Sequence, residues 1–161
     1  MKKILVLGLV LALMAILLVP VAAFAVPTDT ADVTGTVVVA TIDVDAPTFA
    51  GGFGDFDPGV NRIASTNDGS VTVVNNSQAP TGWSVTAKDI SYGGYMWNGV
   101  NTLQDKLYIS PDNWVSYATA ELGVSWTNPS TLPTWLEQTI ANNEAAGAYS
   151  ITITYTGSLT F

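Results

Sequence analysis

Apolar and polar residues alternate at successive positions over much of the chain, most clearly in two segments. One lies near the C-terminus and the other in the middle, and in both the intervening positions are mostly serine and threonine. Alternation with a period of two is typical of a β-strand that buries one face. The alternating residues are Tyr149, Ile151, Ile153 and Tyr155 in the first segment and Trp83, Val85 and Ala87 in the second.

The stretch Val71–Ala87 contains two β-type runs separated by a cluster of asparagine, serine, proline and glycine residues. Such residues favour chain reversal, so we expect the two runs to pair as a central hairpin. Asn67-Asp68-Gly69 is a further turn signal, just before the first run. We expect the rest of the chain to be organised around this hairpin.

Further short β-type segments occur along the chain, separated by turn signals at intervals of about 8–12 residues. Thr48–Gly59, with three phenylalanines among glycines, predicts a short kinked strand followed by a turn. Together the segments predict an all-β fold, an antiparallel β-sandwich or jelly roll of about eight strands. The other predicted strands are Val33–Val44, Lys106–Ser110, Trp114–Tyr117, Glu121–Trp126 (with Leu122, Val124 and Trp126 on one face) and Tyr149–Tyr155, the last extending past Gly157.

After the N-terminal apolar run, residues 135–144 are the one segment whose pattern predicts a helix. Thr134 and Glu137 have the spacing of a capping box, in which two side chains bond to backbone N–H groups at a helix N-terminus. Leu136 and Ile140 then lie on one helical face, and Gly147 is suited to ending the helix. We therefore expect one short helix within the β fold.

The N-terminal residues have the composition of a secretory signal. Two lysines precede the apolar run Ile4–Val19, and Ala23-Phe24-Ala25 has the pattern of a cleavage site. We expect a signal helix in residues 1–25, removed by cleavage, and a single secreted domain in residues 26–161 that does not insert into the membrane. The alternative is an uncleaved anchor, since about 20 apolar residues span a bilayer. Either arrangement places the domain outside the cell or at its surface.

The composition excludes several classes of site. The chain of 161 residues has no cysteine and no histidine, so it has no disulfide, no thiolate metal site and no imidazole proton shuttle. With 13 acidic and 5 basic residues, its formal net charge is −8, which disfavours nucleic acid as a partner. A serine triad needs a base such as histidine, and no Gly-x-Ser-x-Gly motif occurs, so we expect the protein not to be an enzyme.

Several segments resemble those of WxL-type cell-surface domains, which implies a β-sandwich at the cell envelope. Val71–Asp89 is similar to a hairpin of that family, Phe53-Gly54 to its opening, and Ala146–Tyr155 to its closing strand, which follows a stretch like Thr134-Trp135-Leu136. The chain has no Trp-x-Leu triplet, so the family's wall binding is assigned to no residue here. A looser resemblance, through the early Val/Thr strand and the Asp57-Pro58-Gly59 turn, is to camelysin-type biofilm fibre subunits and archaeal bundling pili. It implies polymerisation by strand exchange.

The predicted first strand, Val33–Val44, is apolar on both faces near its middle. This suits a strand covered on both sides, or one that leaves its own sheet and joins a neighbouring molecule. In the second case, main-chain hydrogen bonds provide affinity and alternate side chains set the register. The candidate assembly strand contains Val37, Val38, Val39, Ile42 and Val44.

Aromatic residues crowd the middle of the chain and form the candidate ligand site. Flat apolar rings with polar edges suit stacking against sugar rings, so these residues predict a glycan-binding platform. The alternative is packing in the core or anchoring of loops, a common role of large aromatic residues. The candidates are Tyr92, Tyr95, Trp97, Trp114 and Tyr117.

Aspartates near predicted strand ends suggest a calcium site, because calcium prefers oxygen ligands. The candidates are Asp43, Asp45, Asp55 and Asp57, although no Asp-x-Asp-x-Asp-Gly loop is present and solvated turn residues are the alternative. No other cofactor is expected. Asn75-Asn76-Ser77 matches the acceptor pattern for N-glycosylation, in which Asn75 would carry the glycan.

These features predict a non-catalytic extracellular protein with a structural or adhesive role at the cell surface. In the first interpretation it is a fibre subunit that assembles by strand exchange through residues 33–44, with itself or other envelope proteins as partners. The alternative is a monomeric module that binds cell-wall or other polysaccharide through exposed aromatic residues.

Overall fold

The described part of the chain is built from β-strands joined by turns and loops. The structure is a computed structural model, and it describes residues 39–75 and 78–161. The predicted signal segment 1–25 and the assembly-strand residues Val37 and Val38 lie outside these ranges. The described residues belong to one compact unit, Thr36–Phe161.

Within the described ranges there are nine strands and no helix, which confirms the prediction of an all-β fold. Every pairing between these strands is antiparallel, also as predicted. The strands are β1 (Thr41–Asp45), β2 (Gly59–Ala64), β3 (Ser70–Val74), β4 (Gly82–Asp89), β5 (Tyr108–Ser110), β6 (Ala118–Thr119), β7 (Val124–Thr127), β8 (Trp135–Ile140) and β9 (Ile153–Thr160).

The strands form three sheets. A four-stranded sheet has the order β2-β8-β5-β6, a three-stranded sheet has the order β7-β4-β9, and β1 pairs with β3 in a two-stranded sheet. The longest pairing joins β4 to β9, from Gly82 opposite Thr160 to Asp89 opposite Ile153. Most partners are far apart in the chain, so the sheets bring distant residues side by side.

The buried core contains inward-facing residues of the three-stranded and four-stranded sheets in one cluster. Val85 and Ala87 of β4 and Ile109 of β5 have no solvent exposure. Burial of one large aliphatic side chain contributes about 1.5–3 kcal/mol, so this cluster is the main source of stability in a chain without cysteine. The other buried members are Met96, Leu103, Leu107, Ala120, Val124, Trp126, Leu132, Leu136 and Ile140.

The helix predicted over residues 135–144 is wrong, because Trp135–Ile140 forms β8 in the interior of the four-stranded sheet. Leu136 and Ile140 are four positions apart, a spacing that places two residues on one face of either a helix or a strand. Gln138 between them is also fully buried. A polar residue at this core position hides the alternation that would have identified the strand.

The predicted capping box does not form either. Glu137 pairs with Arg62 on the neighbouring strand β2. The hydroxyl of buried Thr134 donates a hydrogen bond to the carbonyl oxygen of Leu132 at 2.9 Å and accepts one from the hydroxyl of Tyr155 at 3.2 Å. Both side chains are therefore engaged in other contacts, which a local sequence pattern does not reveal.

The central hairpin predicted within Val71–Ala87 is also wrong. β3 pairs with β1, whereas β4 pairs with β7 and β9, so the two runs belong to different sheets. The turn signal Asn67-Asp68-Gly69 lies in the connection from β2 to β3. There Gly69 has a φ of 67°, and its N–H donates to Oδ1 of Asn67 at 2.8 Å. Turn residues permit a reversal, but the burial of apolar faces decides which strands pair.

Other predicted strands differ in extent. Trp114–Tyr117 is a loop, in which Trp114 has a φ of 70°. In Glu121–Trp126 the strand begins only at Val124, and Leu122 is 75% exposed because it lies in the turn between β6 and β7. Strand β2 was not anticipated, since its apolar residues are few.

The C-terminal alternation is confirmed, because all four residues predicted to face inward pack against the core cluster. β9 begins at Ile153, four residues after the predicted start at Tyr149, and continues through Gly157 to Thr160, an extension that was predicted. The three phenylalanines of Thr48–Gly59 also contact the core, but their segment forms turns instead of a kinked strand.

In residues 39–75 and 78–161, no helix has the length and apolar composition needed to cross a bilayer.

Candidate functional site

The four-stranded sheet carries a row of polar and aromatic side chains across its strands. Arg62 of β2 lies opposite Glu137 of β8, and Glu137 lies opposite Tyr108 of β5. Because successive side chains of a strand point to opposite faces, burial of the even-numbered residues of β8 directs Glu137 and Thr139 away from the core. With neighbouring loops, this row forms a cleft of about 430 Å³, which we call the sheet cleft, lined by Arg62, Asp105, Tyr108, Trp114, Tyr117, Glu137 and Thr139.

Three aromatic rings of the sheet cleft contact one another at steep angles. The centroids of Tyr108 and Tyr117 are 5.8 Å apart with an interplanar angle of 72°. Those of Trp114 and Tyr117 are 6.4 Å apart at 60°. Inclined contacts of this kind are favourable because the positive edge of one ring approaches the negative face of the next. The rings therefore form walls set at angles and not a flat stack.

An ion pair lies beside these rings. Nε and Nη2 of Arg62 are each 2.6 Å from Oε2 of Glu137. The guanidinium carbon of Arg62 is also 5.0 Å from the ring centroid of Trp114, which is a cation–π contact. The Arg62 side chain is 58% exposed, so the pair contributes at most about 1 kcal/mol to stability. The Arg62 side chain is therefore accessible to solvent, whereas the Glu137 side chain is only 18% exposed.

The loop that carries Trp114 has an unusual backbone. Asn113 and Trp114 have φ values of 54° and 70°, in the left-handed region that bulky residues avoid. Such residues cost about 1–3 kcal/mol each and persist only where surrounding contacts hold them. The hydroxyl oxygen of Ser110, which is fully buried, accepts a hydrogen bond from the N–H of Trp114 at 2.7 Å.

Asp112 strengthens the same loop. Its Oδ1 accepts hydrogen bonds from the N–H of Ser116 at 2.7 Å and from the hydroxyl of Ser110 at 3.1 Å, and its Oδ2 accepts one from the hydroxyl of Ser116 at 2.6 Å. The bonds from Ser116 lower the pKa of Asp112 below its ordinary value. An ionised Asp112 therefore helps to fix the loop, and Trp114 is held in position before any ligand arrives.

Gln138 supports the cleft from the core side. Its Nε2 donates hydrogen bonds to the carbonyl oxygens of Asp105 and Thr139, both at 2.9 Å. These residues line the sheet cleft, so Gln138 links the buried face of β8 to the backbone around the site. Its Oε1 is buried and has no hydrogen-bond partner among the described groups. This buried polar residue hides the strand in the sequence and also braces the site.

Lys106 lies next to Asp105, but its charge is already matched. Its Nζ donates to a carboxylate oxygen of Glu121 and lies 5.2 Å from the ring centroid of Tyr95. The hydrogen bond to Glu121 raises the pKa of Lys106 above its ordinary value. Lys106 therefore stays protonated at neutral pH, with Glu121 as its counter-ion.

The structure divides the five residues of the predicted platform. Trp114 and Tyr117 lie in the sheet cleft. Tyr92 and Trp97 form a separate ring pair, with centroids 5.1 Å apart, and Tyr95 lies beside a lysine. The sequence reasoning missed Tyr108, Arg62 and Glu137. For Tyr108 a signal existed, because it alternates with two buried apolar neighbours and so had to face outward.

Asp89 holds the loop that carries the second ring pair. Its carboxylate accepts hydrogen bonds from the backbone N–H groups of Ser91 and Tyr92, both at 2.9 Å, and of Gly94 at 2.8 Å. Burial by itself raises the pKa of Asp89, but the three N–H donors outweigh it and hold the pKa below the ordinary value. Asp89 is only 4% exposed, so its charge serves the architecture of this loop.

The described part of the candidate assembly strand packs partly against the body. A Cβ placed on Gly157 of β9 would lie 2.9 Å from Cδ1 of Ile42 and from Cγ2 of Val44, so these side chains rest directly on the glycine. Both residues also contact the core cluster, whereas Val39 is 58% exposed. β1 is thus docked on β9 through its inward face and paired with β3 along one edge.

The aspartates considered for calcium are not grouped as a set of three. Within the described ranges, no three acidic side chains are close enough to hold a metal ion. Asp43 and Asp45 are on the exposed face of β1, where Asp45 accepts a hydrogen bond from a serine hydroxyl, and Asp55 and Asp57 are exposed before β2. Asn75 is exposed, but the two residues that complete its glycosylation pattern lie outside the described ranges.

The sheet cleft combines aromatic faces, phenol hydroxyls, carboxylates and a guanidinium group. Aromatic rings bind the apolar faces of sugars and also bind cations. Carboxylates accept hydrogen bonds from hydroxyl groups, and a guanidinium group donates hydrogen bonds to them. The site is therefore suited to non-covalent recognition of a polar ligand. Comparison of the sequence with models of known protein families and with curated proteins gives no match.

Proposed function

We propose that this protein is a non-catalytic, extracellular cell-surface protein with an adhesive role, and that the sheet cleft of its β-sandwich domain binds an envelope glycan. The observation that carries the proposal is the fixed position of Trp114. A costly left-handed backbone is maintained by buried Ser110 and by Asp112, and it presents the indole beside the ring of Tyr117, which in turn contacts Tyr108. Strained residues of this kind cluster at binding sites.

The dimensions and chemistry of the cleft support this proposal. Its volume of about 430 Å³ falls within the range of roughly 300–1,000 Å³ typical of ligand sites. The rings offer apolar faces to the C–H groups of a pyranose. Glu137, Asp105 and Arg62 offer acceptors and donors to its hydroxyl groups. Such a mixture of flat apolar and polar groups discriminates between sugars by the orientation of their hydroxyls.

A pelleting assay with insoluble envelope polysaccharide tests the proposal. Replacing Trp114 by alanine should release the protein, raising its apparent Kd about tenfold, as expected for loss of an aromatic contact. Trp97→Ala is the matched control, since it removes a tryptophan that pairs with Tyr92 and does not line the sheet cleft. Equal retention of both variants and the unaltered protein would contradict glycan binding in this cleft.

A second candidate function is assembly by strand exchange, and it is favoured by the way β1 docks. Ile42 and Val44 rest on Gly157, and the β1 strand of another molecule offers the same two side chains for this glycine. The two-stranded sheet of β1 and β3 also makes fewer pairings than the larger sheets. In this case β1 would leave its own subunit and complete the body of the next.

Disulfide trapping distinguishes exchanged from unexchanged chains, because the protein has no native cysteine. Cγ1 of Ile42 lies 3.1 Å from a Cβ built on Gly157, so cysteines at both positions are close enough to bond. Oxidation of the Ile42→Cys, Gly157→Cys double variant should give covalent oligomers on a non-reducing gel if subunits exchange β1. A product consisting only of cross-linked monomer would refute exchange.

A further inference from the structure

We infer that the group seated in the sheet cleft is an ammonium group of the glycan, either the amine of an amino sugar or a quaternary ammonium substituent. The inference rests on the proposed glycan-binding function and specifies the ligand class. Three observations support it: the angles between the aromatic walls, the cation already placed on Trp114, and the charge balance of the lining residues.

The aromatic walls suit a compact cation better than they suit a flat, neutral sugar ring. Tyr117 stands at 72° to Tyr108 and at 60° to Trp114, so the three rings that line the cleft are set in different orientations. Each ring face is negative, and faces set at angles can act together on one positive charge. A platform for neutral sugars needs only one exposed face, and it gains nothing from rings that are steeply inclined.

The cleft already binds a cation of its own. The guanidinium carbon of Arg62 lies 5.0 Å from the Trp114 centroid, within the distance of about 6 Å at which cation–π attraction is effective. This contact shows that the indole face is accessible to positive charge. The Arg62 side chain is 58% exposed, so a ligand cation that binds the indole displaces a solvent-accessible group from the ring.

The fixed charges favour a cationic ligand over an anionic one. The lining contains two carboxylates, Glu137 and Asp105, and one cation, Arg62, which is paired with Glu137. Asp105 thus adds an unbalanced negative charge at the site, and the chain as a whole carries a formal charge of −8. A uronic acid or a phosphate group would be repelled, whereas an ammonium group would gain Asp105 as counter-ion.

The inference is tested by titrating the purified protein with three probes: tetramethylammonium chloride, a glucosamine tetramer, and the N-acetylglucosamine tetramer, which has the same ring but no charge. We expect the glucosamine tetramer to bind about tenfold more tightly than its N-acetylated form, and salt to weaken only the charged probes. Asp105→Asn should remove most of this preference. Asp55→Asn is the matched control, because Asp55 is exposed outside the sheet cleft.

The outcomes separate the inference from the function on which it rests. Equal or tighter binding of the N-acetylated tetramer, lost in Trp114→Ala, would overturn the ammonium assignment and leave glycan binding intact. Binding of none of the three probes, together with no retention on any envelope polysaccharide, would overturn both. Binding of tetramethylammonium without the glucosamine tetramer would support a quaternary group, and the reverse result a primary amine.

Discussion

Substitution of Ser110 by alanine should loosen the loop that holds Trp114. The hydroxyl of Ser110 is the acceptor for the N–H of Trp114 at 2.7 Å and donates to Asp112 at 3.1 Å. Ser110 has no solvent exposure, so its loss leaves a partly buried N–H without its acceptor. Such a loss costs about 1–3 kcal/mol.

Because of the backbone strain, Ser110→Ala should weaken ligand binding as well as folding. Asn113 and Trp114 hold left-handed conformations that cost about 1–3 kcal/mol each, and without Ser110 the loop can relax to a more favourable conformation. This relaxation recovers part of the folding free energy but moves the indole. We therefore expect a modest fall in stability, about 1–2 kcal/mol, together with a rise in the apparent Kd for the glycan of at most about tenfold, the effect expected for Trp114→Ala.

Two measurements on the same samples check this expectation: urea unfolding for stability, and pelleting with polysaccharide for binding. Ser116→Ala serves as the control, since it removes only the solvent-exposed hydroxyl bond to Asp112, at a cost of less than about 1 kcal/mol, and keeps the bond from the backbone N–H. If Ser110→Ala unfolds at the same urea concentration and is retained as well as the unaltered protein, Ser110 does not position Trp114.

Three further results are expected. Gly69→Ala should destabilise the fold by more than about 3 kcal/mol, because the new Cβ would lie 2.1 Å from the carbonyl oxygen of Asp45. Gly99→Ala is the control, since a Cβ there meets open space and should cost about 1 kcal/mol. Thermal unfolding of the two variants measures the difference. The pKa of Asp89 in the folded protein is below its ordinary value of 3.8. The ionised carboxylate therefore stabilises the fold above the unfolded pKa, and this stabilisation is lost as pH falls through the folded pKa. Asp89→Asn should lack this pH dependence of stability in acid unfolding. Gln138→Ala should cost about 2–4 kcal/mol in urea unfolding and Gln138→Leu distinctly less, because leucine refills the space and removes the unpaired Oε1; equal losses would argue against a buried polar penalty.

The fold class follows from the sequence because alternation survives wherever core positions are apolar. It predicts the burial of Val85 and Ala87 of β4, and it predicts the inward face of the C-terminal segment, which is partly buried against the core. The same logic fails at β8, where Gln138 occupies a core position and makes the strand resemble a helix. It also fails for pairing, because turn signals near Val71 do not determine that β3 joins β1.

Only part of the candidate site was accessible to sequence reasoning. Trp114 and Tyr117 were identified from aromatic crowding in the chain. Arg62 and Glu137 are 75 residues apart and become neighbours only through the register of β2 with β8. The left-handed backbone at Trp114 had no signal either, since neither residue 113 nor residue 114 is glycine. Sheet register and loop strain, which arise from the whole fold, therefore decide the site.

The two faces of β8 separate two kinds of constraint within six residues. Leu136, Gln138 and Ile140 are interior, while Glu137 and Thr139 border the cleft. On the proposed function, a change at Glu137 or Thr139 alters recognition without disturbing the interior, whereas a change at Leu136 or Ile140 disturbs the interior first. If the sheet cleft binds a ligand as proposed, new preferences can be introduced by mutagenesis at alternate positions of this strand, while the scaffold is preserved.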